Sequence, residues 1–412
     1  MSKKNGQAVN VNEHAITDVS ALGTPKMLTL GLQHAFTMFG ATVLVPIITG
    51  LDVSVALFLA GVGTLLFHLV TGGMVPAFLG SSFAFIAPML AVASSHGLDY
   101  ARGGIVVAGI IYLILAGLMQ VFGTDRIIKF FPPIVTGPII LVIGLKLAPV
   151  AIDMASSNWL LAIIAFTIVT IVSVFAKGFL KVIPVIIGLI GSYIIAAVFG
   201  LIDFTPINDA AIFGVPAFSL AKFNIDAVLT VAPIALATMV EHIGDVIAIG
   251  ATVEKDFIKK PGLSRTLLGD GLATSVSAMF GGPANTTYSE NTGVLALTKA
   301  WDPKIMRIAA VFAIVLGLVP KLGALIGTIP TAVIGGISII LFGMIAAIGA
   351  RTLVENQVDF NKSRNLIIAA VIVVLGLGGA VLPINIGALA LNIEGMALAA
   401  IVGIFLNIVL PE

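Results

Sequence analysis

The stretch Asn285-Thr-Thr-Tyr-Ser-Glu-Asn-Thr-Gly293, continued by Thr298-Lys299, is polar and carries a carboxylate within a chain that is otherwise apolar. An ionisable side chain and irregular backbone at bilayer depth are tolerated only where they line a cavity inside the protein. The stretch therefore predicts a binding site inside a membrane-embedded fold.

Composition sets the class of the protein. Of the 412 residues, 59% are hydrophobic and 10% are charged, and the mean hydropathy is +1.15. Soluble domains contain about 25% charged residues, so these values exclude a water-soluble protein and indicate an all-α polytopic protein of the lipid bilayer. The net charge of +1 argues against nucleic acid as a partner, because nucleic acid selects a concentrated basic surface. The chain contains no cysteine, and we expect no metal site and no cofactor, only a proton as coupling ion.

Apolar stretches close to the about 20 residues needed to cross a bilayer recur between short loops. We predict fourteen segments, of which the third and the tenth are too short to cross as complete helices. A count of twelve results if those two are re-entrant. The predicted segments are Met27–Thr49, Asp52–Val70, Ser81–Ser94, Gly103–Gln120, Phe131–Ala148, Asn158–Ala176, Val182–Gly200, Ala227–Thr252, Thr266–Phe280, Tyr288–Leu297, Ile305–Val319, Ala332–Ile348, Asn365–Val381 and Met396–Leu410.

The basic residues agree with this count through the positive-inside rule. With a cytoplasmic N-terminus, 17 of the 21 Lys and Arg residues lie in inner loops, whereas Arg102, Lys222 and Lys321 lie outside and Lys146 lies within a segment. We therefore expect a multi-pass protein of the plasma (inner) membrane with both termini in the cytoplasm. Residues 1–26 have no apolar core, so we predict a cytoplasmic tail there and not a signal peptide.

The two halves of the chain resemble each other. Gln33-His34 in segment 1 corresponds to Glu241-His242 in segment 8, and Ser81-Ser-Phe83 in segment 3 corresponds to Tyr288-Ser-Glu290 in segment 10. Corresponding segments are seven apart, an odd number, so the halves form 7+7 inverted repeats. Inverted repeats with two interrupted segments at matching positions are typical of secondary transporters, whose substrate site lies where the interruptions meet.

Two acidic residues share one face of segment 8, because Glu241 and Asp245 are four residues apart. An acid at the middle of a span costs about 2.5–3.5 kcal/mol, which favours a functional interpretation as proton-titrating carboxylates in a polar cavity. The structural alternative is that they pair with Lys146 or a histidine and join helices. Lys146 itself lies near the outer end of segment 5, where its side chain can reach the interface.

Other candidates also have a structural alternative. Glu290 lies at the start of broken segment 10, where a carboxylate can cap a half-helix or bind substrate. Phe83 is either core or a stacking partner for a planar ligand. Asp270 opens segment 9, as an interfacial cap or as part of the site. His34 and His68 lie within segments, where a histidine commonly bonds helices together.

These motifs resemble the nucleobase–ascorbate transporter family, in particular its bacterial uracil permease branch, from Gln33 to the last segment. The family signature is an acidic or amide residue, then Asn-x-Gly, four residues, then Thr and usually a basic residue. This chain has Glu290-Asn-Thr-Gly293 followed by Thr298-Lys299. Gln33-His34, Gly80-Ser-Ser-Phe-Ala-Phe85 and Glu241-His-Ile-Gly-Asp245 match further motifs in the right order.

The resemblance implies a core domain that moves against a gate domain. The core would comprise residues 27–121 and 226–328 (segments 1–4 and 8–11). The gate would comprise residues 122–203 and 329–412 (segments 5–7 and 12–14), and residues 204–225 would form an external loop. Segments 3 and 10 would contain short paired strands, and gate domains would join two copies into a homodimer.

The resemblance also implies residue roles. Glu241 and Glu290 would hydrogen-bond a nucleobase, Phe83 would stack on it and donate a backbone amide, Ser289 would donate another amide, and Asn291 would support the site. With Tyr288, these form the predicted substrate-binding set. The proton-coupling candidates are Glu241, Asp245, His242, Asp270 and His34.

Two positions depart from the family pattern. Uracil permeases can carry histidine where this chain has Asp245, and the gate tyrosine of the uracil branch is matched by Phe342, which has no hydroxyl. Purine and xanthine branches usually have glutamine at the position of Glu290, so we expect a uracil importer driven by proton symport, with a xanthine or purine permease as the alternative. An anion transporter would favour cationic groups at the interrupted segments. An enzyme is not expected, because neither a His-x-x-x-His pair nor a Gly-x-Ser-x-Gly motif is present.

Overall fold

The computed structural model describes residues 15–386 and 389–411, and these residues are mostly helical. The first fourteen residues of the predicted tail, residues 387–388 of the predicted gate domain and Glu412 lie outside the described residues. The helices are α1 Thr24–Thr49, α2 Val53–Val70, α3 Ile86–Ser95, α4 Leu98–Phe122, α5 Thr124–Ile128, α6 Pro133–Ser156, α7 Trp159–Phe175, α8 Pro184–Val198, α9 Thr205–Asp209, α10 Ile225–Val231, α11 Ala235–Thr252, α12 Leu263–Met279, α13 Ser289–Thr298, α14 Lys304–Gly317, α15 Pro320–Gly327, α16 Thr331–Glu355, α17 Ser363–Leu377 and α18 Gly395–Val409. The strands are β1 Leu79–Ser81, β2 Asn285–Thr287, β3 Val381–Ile386 and β4 Leu389–Glu394.

Local sequence signals place the helix ends. The Asp52 carboxylate accepts from the Val55 amide at 2.9 Å and caps α2, and Asn158 caps α7 in the same way. Gly50 ends α1 in the left-handed conformation, with φ of 79°.

Length and apolar composition identify the membrane helices. Six helices among the described residues, counting α10 and α11 as one, are long and apolar enough to cross a bilayer. The number rises to seven if α14 and α15, which bend by 79° at their junction, form one span. Each of the fourteen predicted segments overlaps at least one helix. Fourteen crossings and the inverted relation of the two halves stay predictions.

The two short strands implied by the family resemblance are present and paired. β1 and β2 run antiparallel, with Leu79 opposite Thr287 and Ser81 opposite Asn285. The Ser82 amide donates to the Ala284 carbonyl at 2.9 Å and extends the ladder. The pairing satisfies backbone groups that two broken helices would otherwise leave unbonded at bilayer depth.

The helices pack in two groups, and the strand pair lies within the first. One group contains α1–α4 and α10–α14, and the other contains α6–α8 and α16–α18. Glycines permit the closest approaches, because a Cβ at Gly144 of α6 would collide with the α16 backbone at Phe342 and Ala346. The α11 helix of the first group also contacts α6 and α18 of the second.

Two elements were not predicted. The segment Asn365–Val381 ends as a helix at Leu377, and β3 and β4 follow as an antiparallel hairpin. Gly378 and Gly379, the latter with φ of 67°, end the helix because left-handed backbone stops it. The second element is α15, which Pro320 starts at a bend in a region that we assigned to an outer loop.

Candidate functional site

The strand pair at the centre of the first helix group is fixed by buried side chains. The Tyr288 hydroxyl donates to the Ser81 carbonyl at 3.0 Å and accepts from the Thr42 hydroxyl at 3.3 Å. The Ser81 hydroxyl donates to the Thr42 carbonyl at 2.9 Å, which ties β1 to α1. On the other side, the Thr64 hydroxyl of α2 accepts from the Leu79 amide at 2.9 Å. The strands are therefore held by both neighbouring helices.

Two helices begin where the strands end. The α3 helix follows β1 through a 3₁₀ turn at Phe83–Phe85, and α13 follows β2 through Tyr288. Since the strands are antiparallel, α3 and α13 leave the pair at opposite ends, and both N-termini point back towards the level of the strands. Helix N-termini present unpaired amide donors and a partial positive charge. Ser289 and Glu290 are exposed in the first turn of α13, and Phe83 is half-buried at the start of the 3₁₀ turn.

Acidic side chains of α11 face the start of α13. The Asp245 carboxylate accepts from the Ser289 hydroxyl at 2.5 Å and from the Thr287 hydroxyl at 2.9 Å. Glu241 lies one turn earlier, half-buried, and within Coulombic range of Asp245, Asp270 and Glu290. Among the described residues, Glu241 and Asp245 make no ion pair with Lys146 or a histidine, although the bonds of Asp245 to Ser289 and Thr287 join α11 to the start of α13. The role of these acids in proton titration stays a prediction.

His242, which lies between these two acids in sequence, points to a different partner. Its Nδ1 is 3.1 Å from the Asp270 carboxylate, and both side chains are fully buried. The ring of Phe67 packs edge-on against the imidazole at 6.3 Å between centroids. Asp270 lies inside α12, two turns from its start, so its interpretation as an interfacial cap is wrong.

Asn291 and His34 connect α13 to α1. The Asn291 amide nitrogen is 3.0 Å from His34 Nδ1 and donates to the His34 carbonyl at 3.1 Å. Both residues are buried. This contact joins α13 to α1, and the supporting role of Asn291 in a substrate site stays a prediction. His68 makes a similar structural contact, with its Nε2 3.0 Å from the Ala77 carbonyl.

Phe83 and Phe342 meet at the seam between the two helix groups. Their ring centroids are 6.1 Å apart and their planes are at 74°, an edge-to-face arrangement. Phe342, on α16, is only 1% exposed. Lys146 lies away from the acids and donates to the Gly376 carbonyl at 3.0 Å.

Two residues of the site were missed from sequence. Thr287 bonds to Asp245, and Thr42 holds both Tyr288 and Ser81. Thr287 lies in the polar stretch and was within reach of sequence reasoning. Thr42 lies in an ordinary apolar helix with no signal to select it.

A sequence profile described as that of a permease family matches residues 25–385. The chain belongs to this family, that of the nucleobase–ascorbate transporters. A probable uracil permease of Pasteurella multocida (strain Pm70) is 46% identical to this permease over 396 residues, which cover 94% of each chain. The uracil permease of Bacillus subtilis (strain 168) is 42% identical over 404 residues, which cover 93% of this chain and 92% of that one.

A solved structure shows the same fold at low identity. The transmembrane domain of a cyanobacterium bicarbonate transporter, BicA, superposes with a TM-score of 0.66 at 16% identity, covering 96% of this permease and 99% of that chain. The likeness is one of fold alone, and in this permease acidic groups of α11 and α13 lie beside the strand pair. Among the described residues, no three metal-ligating side chains lie close enough together to hold a metal ion.

Proposed function

We propose that this permease imports uracil across the plasma membrane by proton symport. The observation that carries the proposal is the position of Glu290 in the first turn of α13, beside the acids of α11, in a chain 42–46% identical to proteins named as uracil permeases. The proposed substrate contacts are Glu241, Glu290, Phe83 and Ser289.

The groups around the half-helices complement a small base. Uracil has a flat face, two carbonyl acceptors and two N–H donors. Carboxylates accept from N–H groups, whereas the amides at the starts of α3 and α13 donate to carbonyls. Phe83 offers an aromatic surface at the same level. Since the Tyr288 hydroxyl already bonds to Ser81 and Thr42, we assign Tyr288 to holding the strands, and Asn291 to supporting α13.

A neutral base needs a coupled ion for accumulation. Movement of one proton down a potential supplies about 2.3 kcal/mol per 100 mV, which corresponds to roughly fifty-fold accumulation. Glu241, Asp245 and Asp270 interact electrostatically, and His242 adjoins Asp270. We propose that this cluster carries the proton. His34, a further proton-coupling candidate, bonds to Asn291 and joins α1 to α13.

Alternating access would use the two helix groups as moving bodies. We propose that α1–α4 and α10–α14 belong to the core, that α6–α8 and α16–α18 belong to the gate, and that the chain crosses the membrane fourteen times as two inverted repeats. The Phe83–Phe342 contact would then open and close in each cycle. Joining of gate domains into a homodimer, with both termini cytoplasmic, completes the proposal.

The fold alone does not select the substrate, since BicA is a bicarbonate transporter with the same architecture. The side chains separate the two functions. An anion favours cationic groups, whereas this site contains Glu241, Asp245 and Glu290.

Uptake of labelled uracil into proteoliposomes tests the proposal. We expect accumulation that collapses when both the proton gradient and the potential are removed, because proton entry drives it. Uptake that continues unchanged would refute proton coupling.

Thermal stabilisation by a panel of bases tests the substrate separately, since a ligand of the folded state raises its apparent stability. Stronger stabilisation and competition by xanthine than by uracil would favour the purine alternative.

A further inference from the structure

A short segment before α1 is attached to the loop that follows α13. We call Ile16–Leu22 the strap. The Ile16 amide donates to the Lys299 carbonyl at 2.8 Å, and the Trp301 amide donates to the Ile16 carbonyl at 2.9 Å. These bonds form a parallel bridge between Ile16 and Ala300. The strap therefore joins the loop through main-chain bonds.

Buried contacts strengthen this attachment. The Val19 amide donates to the Asp302 carboxylate at 3.0 Å, and the two residues are 0% and 6% exposed. Val19 also packs with Ala300 and Ile305 in a small separate apolar cluster. One oxygen of the Asp302 carboxylate accepts from the Lys304 amide at 2.9 Å, and the other depends on the Val19 amide of the strap. A buried polar atom without a hydrogen bond is costly, so Asp302 favours the attached strap.

Charged groups at the edge of the strap also favour its attachment to the loop. The Lys304 ammonium donates to the Ser20 hydroxyl at 2.8 Å and lies 3.4 Å from the Asp18 carboxylate. Hydrogen bonds from Ser20 and the charge of Lys304 hold the pKa of Asp18 below its usual range. Asp18 is therefore ionised at neutral pH. These exposed contacts are weak individually.

The loop under the strap is the end of the half-helix that carries the proposed site. Lys299, with φ of 52°, ends α13, and the Trp301 indole donates to the Leu295 carbonyl at 3.3 Å. Near the other end of α13, Asn291 bonds to His34 of α1. Because the strap runs directly into α1, α13 is fastened to α1 near both of its ends.

We propose that the strap positions α13, with Asp302 as the positioning residue, and thereby sets the placement of Glu290. The ten residues of α13 span about 15 Å, so a tilt of about 5° at the strap moves the site end by roughly 1 Å. A misplacement of about 1 Å at a reacting group can lower a rate about a hundredfold, and a hydrogen bond lengthened by about 1 Å no longer has bonding geometry. The proposal rests on the proposed function only in using uracil as its probe.

Val19→Asp in the full-length protein tests the proposal, because a second buried carboxylate beside Asp302 detaches the strap. Ala21→Asp is the matched control, since it places the same charge at an exposed position of the strap. We expect the Kd for uracil of the purified, monodisperse Val19→Asp protein to rise about tenfold or more, with the control unchanged. A purely structural role would lower the melting temperature and leave the Kd unchanged, which would overturn the proposal. Should Val19→Asp fail to fold, Asp302→Asn gives the same readout with a smaller expected rise.

A disulfide that locks the strap to the loop after α13 tests the effect of permanent attachment. The chain contains no cysteine, so Ile16→Cys with Ala300→Cys introduces one defined pair at bridged positions. We expect the oxidised protein to keep its Kd and its uptake rate, because an attached strap is the working state. Uptake that stops on oxidation and returns on reduction would show that the strap moves, and would overturn the proposal.

Failure of the proposed function is distinguishable from failure of the strap. Wild-type protein that binds no uracil would refute the substrate alone. Hydrogen exchange of the α13 amides is then the readout for Val19→Asp, because local opening accelerates exchange. We expect faster exchange in Val19→Asp than in Ala21→Asp, and equal rates would overturn the proposal.

Discussion

Glu290 and Asp245 are neighbouring carboxylates with different attachments. Glu290 is exposed and makes no side-chain hydrogen bond among the described residues, whereas Asp245 accepts from two hydroxyls. Glu290→Gln should therefore weaken uracil binding by about ten- to a hundredfold, because it removes one charge-assisted hydrogen bond worth about 1.5–3 kcal/mol. The free energy of unfolding should change little. Isothermal titration and thermal unfolding measure the two effects. Asp270→Asn, outside the proposed contacts, is the comparison, and equally small losses of affinity in both variants would contradict the site.

Tyr288→Phe should affect stability more than binding. The substitution removes the hydroxyl that donates to the buried Ser81 carbonyl, and an unpaired buried acceptor costs about 1–3 kcal/mol. Tyr100→Phe is the control, since the Tyr100 hydroxyl has no hydrogen bond among the described residues. The free energy of unfolding in detergent measures the difference. A Tyr288→Phe protein as stable as the control, but deficient in uracil binding, would return Tyr288 to the substrate contacts.

Contacts within one helix can be predicted from sequence, whereas contacts between helices cannot. Glu241 and Asp245 share a helix face by spacing alone, and the structure has them there. The pairing of His242 with Asp270 joins α11 to α12, and no local pattern reports which helices become neighbours. The Phe83–Phe342 contact joins the two helix groups, and no local pattern around either residue predicts which side chain of the other group it meets.

Strand β1 requires a glycine at its centre. A Cβ at Gly80 would overlap the Tyr288 ring and lie 2.7 Å from the Thr42 hydroxyl. Gly80→Ala should destabilise the protein by about 1–3 kcal/mol, since overpacking forces neighbours from their positions. Gly117→Ala is the control, because its Cβ meets nothing within 4 Å on helix α4 and alanine is the better helix former. Unfolding measurements in which both variants match wild type would show that the strand pair tolerates the extra atom.

The β3–β4 hairpin and α15 were not predicted, although each leaves a signal in the sequence. The interrupted segments 3 and 10 were visible because polar residues break an apolar run, and the strands lie there. In the β3–β4 hairpin, alternation of Leu389, Leu391 and Ile393 is a strand pattern, but residues 382–395 were treated as a connection between two predicted membrane segments. At α15, Pro320 signalled a helix start. After the bend, α15 packs against α9 and α2, and composition does not report such contacts between distant elements.

Contacts between loops far apart in sequence agree with the predicted sidedness. Lys222 pairs with Asp99 at 3.1 Å, and the Lys321 amide donates to the Ala211 carbonyl at 3.0 Å; all four residues were assigned to the outer side. The strap bonds to Lys299, and Lys304 lies beside Asp18, which were all assigned to the inner side. A miscount of one segment between the members of any pair would have placed them on opposite faces of the bilayer.

Single cysteines test this sidedness directly, because the chain has none of its own. Ile212, 62% exposed, lies in the predicted external loop, and Asn356, also exposed, follows α16 on the predicted inner side. A membrane-impermeant maleimide added to intact cells should label Ile212→Cys and leave Asn356→Cys unlabelled until the membrane is opened, because basic loops are retained on the cytoplasmic side. Labelling of Asn356→Cys in intact cells would show that the topology is inverted, or that the number of segments between the two sites has the other parity. In either case, the inner position of the strap and the direction of proton-driven import would have to be reassigned together.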